Sequence, residues 1–347
     1  MSKERVVVAM SGGVDSSLAA ALLKKDGYDV IGATMQLRPA DELAGEQMES
    51  ARRVAHKLGI PHHAVNFGDV FGRHVINYFC QEYSLGRTPN PCIRCNQYIK
   101  FDALLKRAKE LGAHFLATGH YARIEHSGDG YRLLKGVDRI KDQSYFLYTL
   151  GQNVLQSLIL PIGNLHKEKV RRMVAELDLP TTRNESQDIC FIPDNDYRSF
   201  IARHVPLKPG EIIDTEGNLL GKHHGLAQYT VGQRQGLGLS SNTRLYVLKL
   251  DAANNRLIVG TEDQLFTSTL FATDLSWVSG EAPTDTTSMT AKVRYKSPEV
   301  PLTLYLNDGV ARVDFHQPQR AISPGQSVVF YQGDAVLGGG VIEDRVD

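Results

Sequence analysis

Residues 6–17 have the sequence VVVAMSGGVDSS, and residues 18–23 continue as LAAALL. The unbroken β-branched run predicts a buried parallel strand, and the two glycines that follow it predict a sharp turn. Asp15 and Ser16 are typical N-cap residues, so a helix rich in Ala and Leu is expected to begin there. A strand, a glycine-rich loop and a helix start in this order can form a cradle for phosphate groups.

The loop offers phosphate its backbone and its hydroxyl groups. Without Cβ atoms at Gly12 and Gly13, backbone N–H groups can approach phosphate oxygens, and the helix dipole adds to their attraction. Ser11, Ser16 and Ser17 supply hydroxyls. No lysine follows the loop, which therefore differs from the G-x-x-x-x-G-K-[ST] pattern. A simple turn with a helix cap would not need this density of Ser, Gly and Asp, so a phosphate site is the favoured interpretation.

Strand and helix patterns alternate along the N-terminal part of the chain. This alternation predicts an α/β fold with a doubly wound parallel sheet that binds ligands at the carboxyl ends of its strands. Met35 ends the second predicted strand, and Gly119 and His120 follow a later one, so all three should lie on the same rim as the loop. Residues 121–126 and 131–136 are expected to form a β-hairpin.

The pattern changes near residue 203 to short alternating runs separated by Gly, Pro and Asn turns. These runs predict two small, mostly antiparallel β domains, the last of them a β-barrel. The expected domains are the α/β domain with the phosphate loop over 1–203, a central β domain over 204–268 and the barrel over 269–347. Residues 222–239, rich in Gly, His, Gln and Arg, are expected to form a mobile surface loop that touches a partner.

Composition limits the possible classes. A chain of 347 residues suggests two or three domains, and 39 basic against 39 acidic residues argue against a globally cationic nucleic-acid binder. Residues 87–109 nevertheless hold six basic side chains and one acid, which fits either a polyanion footprint or a solvated helix face. No apolar run reaches membrane-spanning length and no signal peptide is apparent, so a cytosolic protein without membrane partners is expected.

Three of the four cysteines are candidate functional residues. Cys80 falls on an apolar helical stripe and is expected to be a core residue, whereas Cys92 and Cys95 form a C-x-x-C at a helix start that favours thiolate. This pair is compatible with half of a zinc site, a redox pair or cluster ligands. Cys190 lies in a loop, and as a third ligand it would leave one position open, as in a reactive metal site.

Several motifs together resemble one family. The first segment resembles the SGGxDS loop of ATP pyrophosphatases, which cleave ATP between the α and β phosphates. Over the whole chain the sequence is similar to the tRNA-specific 2-thiouridylases, which replace the 2-oxygen of the wobble uridine in Gln, Lys and Glu tRNAs by sulfur. The resemblance rests on AMSGGVDSS, GRTPNPCIRCNQYIKF, ATGHYAR, KDQSYFLY, ESQDICFI, TVGQRQGLG, VRY and SPGQSVVFY, in the order of the family. It implies an N-terminal fold of the adenine nucleotide α-hydrolase type.

The resemblance also implies roles for particular residues. ATP, with Mg²⁺ on its phosphates, would be bound by Ala9, Met10, Ser11, Gly12, Gly13, Val14, Asp15, Ser16, Met35 and Gly119. Cys190 would carry a persulfide received from a cysteine desulfurase or a sulfur-relay protein, and Cys95 would be the nucleophile that frees the sulfur and ends in a disulfide with Cys190. The positions expected to touch tRNA are His120, Lys141, Asp142, Gln143, Arg294, Tyr295 and Gln326.

Cys92 departs from the best-known members, which have aspartate at this position. Cysteine cannot take over an acid/base role of that aspartate unchanged. Related thiolation enzymes hold an iron–sulfur cluster with three cysteines and bind sulfide on the free iron. Cys92, Cys95 and Cys190 could therefore hold a [4Fe-4S] cluster, a route that excludes the disulfide route.

Two other classes of protein remain compatible with the phosphate loop. Amide-forming ligases that make argininosuccinate or guanylate use the same loop, but they do not need the C-x-x-C and the distant cysteine. An RNA-binding module that uses the nucleotide as a switch is the non-catalytic alternative.

Overall fold

The computed structural model describes residues 3–37, 42–128, 130–182, 189–192, 196–286 and 288–344. The helices are α1 (Val14–Lys25), α2 (Glu42–Leu58), α3 (Gly68–Phe71), α4 (Asn77–Ser84), α5 (Pro91–Arg94), α6 (Leu104–Glu110), α7 (Gln152–Leu155), α8 (Lys167–Glu176) and α9 (Tyr197–His204). π-Helical segments join α3 to α4 and α5 to α6, at Gly72–Ile76 and Cys95–Ala103. Within these described ranges, no helix is both long enough and apolar enough to cross a bilayer.

In the part of the chain that the structure describes, seventeen strands form three sheets. Their bounds are β1 (Arg5–Ala9), β2 (Asp29–Gln36), β3 (His62–Asn66), β4 (Phe115–Ala117), β5 (Ala122–Ser127), β6 (Gly130–Lys135), β7 (Leu158–Ile159), β8 (Gly210–Ile213), β9 (Leu219–His223), β10 (Tyr246–Asp251), β11 (Arg256–Gly260), β12 (Phe266–Trp277), β13 (Thr290–Lys292), β14 (Val300–Asn307), β15 (Val310–Arg320), β16 (Ser327–Gln332) and β17 (Ala335–Glu343).

The N-terminal sheet is parallel throughout and has the order β3-β2-β1-β4-β7. Its central strand β1 is buried on both faces, as its β-branched run predicts. Val7 packs with α6 in one core, whereas Val6 and Val8 pack with α1 and α8 in the other. Helices therefore cover both faces of the sheet, and the predicted doubly wound α/β fold is confirmed.

The central sheet has the order β10-β11-β8-β9, with one parallel pair between β8 and β11. The expectation of a mobile surface loop over residues 222–239 is wrong. Tyr229, Val231 and Leu237 from this segment are buried in the core under the central sheet. The apolar residues that alternate with its glycines and glutamines fix the segment against that core.

The C-terminal strands close into a six-stranded barrel in the order β12-β15-β14-β13-β16-β17, because β17 also pairs with β12. The predicted hairpin is present as β5 and β6, and it extends the barrel sheet by pairing with β17, with Ala335 opposite Leu134. The N-terminal part of the chain and the barrel thus share one sheet. The domain limits expected at 203/204 and 268/269 stay a prediction; they fall inside α9 and β12.

The barrel also holds the segment that leads to the cysteine pair. The Arg87 guanidinium binds both carboxylate oxygens of Glu343, with one N–O distance of 2.8 Å, and also Glu82 at 2.7 Å. Next in the chain, the Thr88 N–H donates to the Pro324 carbonyl at 2.8 Å. The barrel therefore fixes the chain a few residues before Cys92.

We expect Glu343→Gln to loosen this attachment at neutral pH. Burial raises the pKa of the Glu343 carboxyl, but the hydrogen bonds and charge of Arg87 outweigh it, so the pKa lies below its ordinary 4.5. A carboxyl whose pKa is lowered by folding stabilises the fold above its unfolded pKa, and this contribution is lost as the pH falls through its folded pKa. The substitution should lower the free energy of unfolding by roughly 1–2 kcal/mol at neutral pH and by progressively less at acidic pH.

Urea unfolding at neutral and acidic pH, with amide exchange across β17, measures this effect. Glu262→Gln is the matched control, because Glu262 lies 3.4 Å from Arg320 in an exposed pair, and exposed pairs contribute little. The prediction is contradicted if the two substitutions lower stability equally at neutral pH.

Candidate active site

The phosphate loop joins β1 to α1 and is fixed from both sides. Gly12 has a φ of +76°, and a Cβ on it would lie 2.6 Å from the Gln47 carbonyl oxygen of α2. Glycine is therefore required here both for its conformation and for the close approach of α2. Inside the loop, the Ser11 N–H donates to Ser16 Oγ at 3.2 Å, and Ser17 Oγ donates to the Gly13 carbonyl at 2.8 Å.

The expected rim position of Gly119 agrees with the structure. A Cβ on Gly119 would lie 2.7 Å from the Ser16 nitrogen, so the end of β4 touches the loop directly. His120, the next residue, is buried beside Phe101, and its Nδ1 lies 2.7 Å from Thr118 Oγ1. Met35 is the last residue but one of β2, which ends at Gln36, and it is half-buried between two apolar cores.

Asp15 does not cap α1, contrary to the sequence-based expectation. The N-cap is Gly13, without a side-chain hydrogen bond. Both oxygens of the Asp15 carboxylate instead accept from Lys167 Nζ at 2.8 Å, and Tyr121 Oη donates to Oδ1 at 2.7 Å. A charged partner outcompetes the backbone N–H groups of the helix start for this carboxylate.

Lys167 is a site residue that the sequence analysis missed. It is the first residue of α8, its side chain is only 8% exposed, and its backbone N–H donates to Asp138 Oδ2 at 2.9 Å. The glycine-rich loop carries no lysine of its own. Lys167 from α8 instead reaches the first turn of α1, where it binds Asp15. In the sequence, Lys167 stands close to Lys169, Arg171 and Arg172, and nothing in that basic run distinguishes it from exposed neighbours such as Lys169.

The C-x-x-C motif opens a helix, as predicted. Asn90 is the N-cap of α5, and its side chain accepts a hydrogen bond from the Cys92 N–H at 3.2 Å. Pro91 occupies the first helical position, which suits its fixed φ. Cys95 is buried at the start of the π-helical segment, in a cluster with Ile99 and Phe79.

The thiolate character expected for this pair is not observed. Burial raises the pKa of Cys95 to about 12 and that of Cys92 to about 11, although the positive charge of Lys100 opposes the shift at both residues. Desolvation of the thiolate outweighs one nearby cation and the helix start. Both thiols are therefore protonated at neutral pH in this state of the protein.

Cys190 is exposed and lies close enough to Cys92 and Cys95 for its charge to raise the pKa of both. Two described residues, one before Cys190 in the chain and one after it, have clear partners. The Thr182 N–H donates to the Gly12 carbonyl of the phosphate loop at 3.0 Å. Phe191 packs within 5.6 Å of the rings of Phe71, Phe79 and Phe200. The three candidate cysteines thus lie within electrostatic range of one another.

The arrangement does not match an iron–sulfur ligand set. Across the described residues, no three His, Cys, Asp or Glu side chains are grouped so that they could hold a metal ion. The structure therefore does not favour the cluster route.

Most of the side chains expected to touch tRNA make internal contacts. Asp142 Oδ1 accepts from the Gly136 and Ser144 N–H groups, and Gln143 Oε1 accepts from the Tyr121 N–H. The other expected contacts are placed as follows: Gln326 Nε2 donates to the Thr88 carbonyl at 2.8 Å, Arg294 donates to Ser323 Oγ at 2.6 Å, and Tyr295 packs 4.3 Å from Phe146. Lys141 lies between the exposed Ile140 and buried Asp142. Their role in tRNA binding stays a prediction.

The basic stretch over residues 87–109 is largely neutralised. Arg87 pairs with Glu343, Lys106 with Asp102 and Arg107 with Glu110. The Arg94 guanidinium lies over the ring of Tyr78, 4.1 Å from its centroid. A continuous polyanion footprint is therefore not present here, and Lys100 differs from these four in facing the cysteine pair.

Three family models match the chain. They are described as a tRNA methyl transferase HUP domain over residues 4–194, a tRNA methyl transferase PRC-barrel domain over 198–261 and an aminomethyltransferase beta-barrel domain over 267–342. Together they extend over almost the whole chain, in the order of the three sheets.

Curated relatives are similar over nearly their full length. A tRNA-specific 2-thiouridylase MnmA from Acetivibrio thermocellus is 47% identical, with 99% of this chain and 100% of the relative covered. One from Geotalea uraniireducens is 49% identical, with 99% and 96% covered. Among solved structures, a 4-thiouridine synthetase–RNA complex with bound ATP is 18% identical at a TM-score of 0.35, covering 58% of this chain and 50% of that chain.

Proposed function

The chain belongs to the tRNA-specific 2-thiouridylase family, and on that premise we propose that it replaces the 2-oxygen of the wobble uridine of Gln, Lys and Glu tRNAs by sulfur. It is a sulfurtransferase that acts on tRNA. One observation carries the detailed proposal: the nucleotide loop and the cysteine pair are contiguous, because Gly119 touches Ser16 and the next residue, His120, lies 3.5 Å from Lys100, whose charge acts on Cys92 and Cys95. This contiguity favours sulfur transfer over the methyl transfer named in two family-model descriptions.

In the first half-reaction, ATP lies along the loop from Ala9 to Ser16, with its adenine toward Met35. The uridine O2 attacks the α-phosphorus, the bond from that phosphorus to the bridging oxygen breaks, and pyrophosphate leaves with the electron pair. The N3 proton of the uridine is released to solvent. The backbone N–H groups of the loop and the Lys167 ammonium stabilise the charge on the departing pyrophosphate.

Mg²⁺ would be held mainly by the phosphates of ATP, whose charge it neutralises. The oxygen donors beside the loop, the Asp15 carboxylate and the hydroxyls of Ser11 and Ser16, are of the kind this ion prefers. Lys167 would then release part of its hold on Asp15 as the phosphates arrive.

In the second half-reaction, Cys190 carries a persulfide. The Cys95 thiolate attacks Sγ of Cys190, a disulfide forms between the two cysteines, and hydrosulfide leaves with the electron pair of the broken S–S bond. The hydrosulfide attacks C2 of the adenylated uridine, the C2–O2 bond breaks and AMP departs, while the proton of the hydrosulfide passes to N3. A thiol reductant then restores both cysteines. The exposure of Cys190 allows a cysteine desulfurase or relay protein to deliver the sulfur.

tRNA is proposed to reach this site between the N-terminal domain and the barrel, near Tyr295. Burial raises the pKa of the Tyr295 hydroxyl, and the charges of Asp142 and Cys92 add to the shift, which places Tyr295 beside both. The proposed contacts with tRNA are made by Tyr295 together with His120, Lys141, Gln143, Arg294 and Gln326. Some of the internal hydrogen bonds of these residues would have to be replaced by hydrogen bonds to the RNA. A reaction on tRNA also implies a cytosolic location.

Reconstitution tests this function. We expect the purified chain with ATP, Mg²⁺, a persulfide donor and a tRNA with a wobble uridine to form 2-thiouridine, with one AMP released for each sulfur inserted, as measured by nucleoside mass spectrometry. The same tRNA with cytidine at the wobble position is the matched control. ATP binding without 2-thiouridine or AMP would indicate an RNA-binding switch instead, and AMP formation independent of tRNA would indicate an amide-forming ligase.

A further inference from the structure

Lys100 occupies a position that depends on the π-helical geometry of residues 95–103. In an α-helix the fifth residue along lies about 140° around the axis, so Lys100 would face away from Cys95. The hydrogen bonds of a π-helix join residues five apart, which stacks Lys100 one turn beyond Cys95. The π-helix therefore turns an ammonium group toward the cysteines, and its charge acts on both Cys92 and Cys95.

The other neighbour of this ammonium group is a neutral histidine. Lys100 Nζ lies 3.5 Å from His120 Nε2. Burial lowers the pKa of His120 well below 6.5, and the charge of Lys100 lowers it further, so the imidazole carries no charge at neutral pH. Within the part of the chain that the structure describes, no carboxylate forms an ion pair with Lys100. A half-buried cation without a protein counter-ion can be completed by an anion of the substrate.

The position of Lys100 indicates which anion this is. His120 follows Gly119, which touches the peptide between Asp15 and Ser16 at the start of α1. Lys100 thus lies between the nucleotide loop and the cysteines, separated from the loop by Gly119 and His120, which follow β4. The α-phosphate is the anionic group that must lie between the nucleotide loop and the cysteines, because it is first joined to the β-phosphate and then to the uridine O2.

The geometry points to Lys100 as a catalytic residue that contacts a non-bridging oxygen of the α-phosphate throughout the reaction. Its ammonium group stabilises the added charge when O2 bonds to phosphorus and pyrophosphate leaves. The same contact stabilises AMP when the C2–O2 bond breaks and the electron pair moves onto the phosphate oxygen. Lys167 serves the pyrophosphate end, and Lys100 serves the end that becomes AMP. This inference rests on the proposed two-step reaction.

Single-turnover kinetics tests the inference. With a wobble-uridine tRNA and no sulfur donor, pyrophosphate release reports adenylation alone. We expect Lys100→Met to slow this release about 100-fold or more, since one lost electrostatic contact commonly costs that much, and Lys100→Arg to recover part of it. Lys106→Met is the matched control, because Lys106 is on the same helical stretch, exposed and paired with Asp102, and it should react at the wild-type rate.

A second measurement separates a phosphate contact from a structural role. The wild type should discriminate between the Sp and Rp diastereomers of ATPαS, in which sulfur replaces one non-bridging α-oxygen. Lys100→Met should lose most of that discrimination, whereas a variant that is merely misfolded would keep it in its active fraction. Equal discrimination in both proteins, or a loss explained wholly by weaker tRNA binding, overturns the inference. Failure of the wild type to release pyrophosphate with tRNA contradicts the proposed function itself.

Discussion

Cys95→Ser is expected to abolish 2-thiouridine formation, by at least about 1000-fold, while tRNA-dependent pyrophosphate release continues for one turnover. Serine retains the size of the buried side chain, but its alkoxide is not accessible at neutral pH and cannot open the proposed persulfide on Cys190. The phosphate loop lies on the other side of Lys100 and His120, so adenylation needs no cysteine. Quantifying 2-thiouridine and pyrophosphate from one reaction separates the two steps.

Cys190→Ser should give the same result as Cys95→Ser, and Cys80→Ser should thiolate normally. Cys80 is the matched control because it lies on α4, packed against the same apolar cluster as Cys95 but outside the site. Cys92→Ser distinguishes the sulfur routes: retained activity supports the disulfide route, and lost activity together with lost iron supports the cluster. Normal thiolation by Cys95→Ser would exclude Cys95 as the nucleophile.

The raised pKa of Cys95, about 12 with burial as its cause, adds a kinetic signature. The thiolate fraction below that pKa rises about tenfold for each unit of pH, so sulfur release in the absence of tRNA should accelerate with increasing pH. In the proposed reaction, bound tRNA and the α-phosphate would rearrange the surroundings of Lys100 and Cys95. A weaker pH dependence in the complete reaction would show that this rearrangement activates the thiol.

The sequence predicted the parts of the site that depend on local pattern. The β-branched run, the two glycines and the Ala-rich helix specify β1, the loop and α1, and Pro91 with Asn90 specifies the start of α5. Each of these signals lies within a few residues of the element that it determines. The rim position of Gly119 could also be predicted, because it needs only the rule that ligands bind at the carboxyl ends of parallel strands.

The features that the sequence did not predict depend on contacts between distant segments. Asp15 was expected to cap its own helix, but Lys167, 152 residues later, binds it instead. The C-x-x-C was expected to be ionised, but burial by Ile99, Phe191 and their neighbours reverses that expectation. The π-helical geometry at Cys95 has no single-sequence signal, so the orientation of Lys100 could not be anticipated.

Lys167→Met should reduce tRNA-dependent pyrophosphate release about 100-fold or more, because the loop has no other lysine to stabilise the leaving pyrophosphate. Lys169→Met is the matched control: Lys169 lies on the same helix, exposed to solvent. The loss could instead reflect a disturbed loop, since Lys167 is the charged partner of Asp15. The Asp15 side chain is one-third exposed and keeps Tyr121, so we expect the unfolding free energy to fall by only about 1–2 kcal/mol.

The double variant Asp15→Asn/Lys167→Met measures the structural part of the loss. Removing both charges leaves no unpaired carboxylate, so stability should return toward that of the wild type. Because Asp15 is itself a proposed Mg²⁺ donor, activity is compared among the Lys167 variants alone. If Lys167 contacts the phosphates, Lys167→Met releases pyrophosphate slowly even under conditions where it is fully folded, and Lys167→Arg recovers part of the rate. If Lys167 acts only through the stability of the loop, the activity of each Lys167 variant follows its folded fraction. Urea unfolding and single-turnover pyrophosphate release on the same preparations decide between a lysine that binds the leaving group and one that supports the loop.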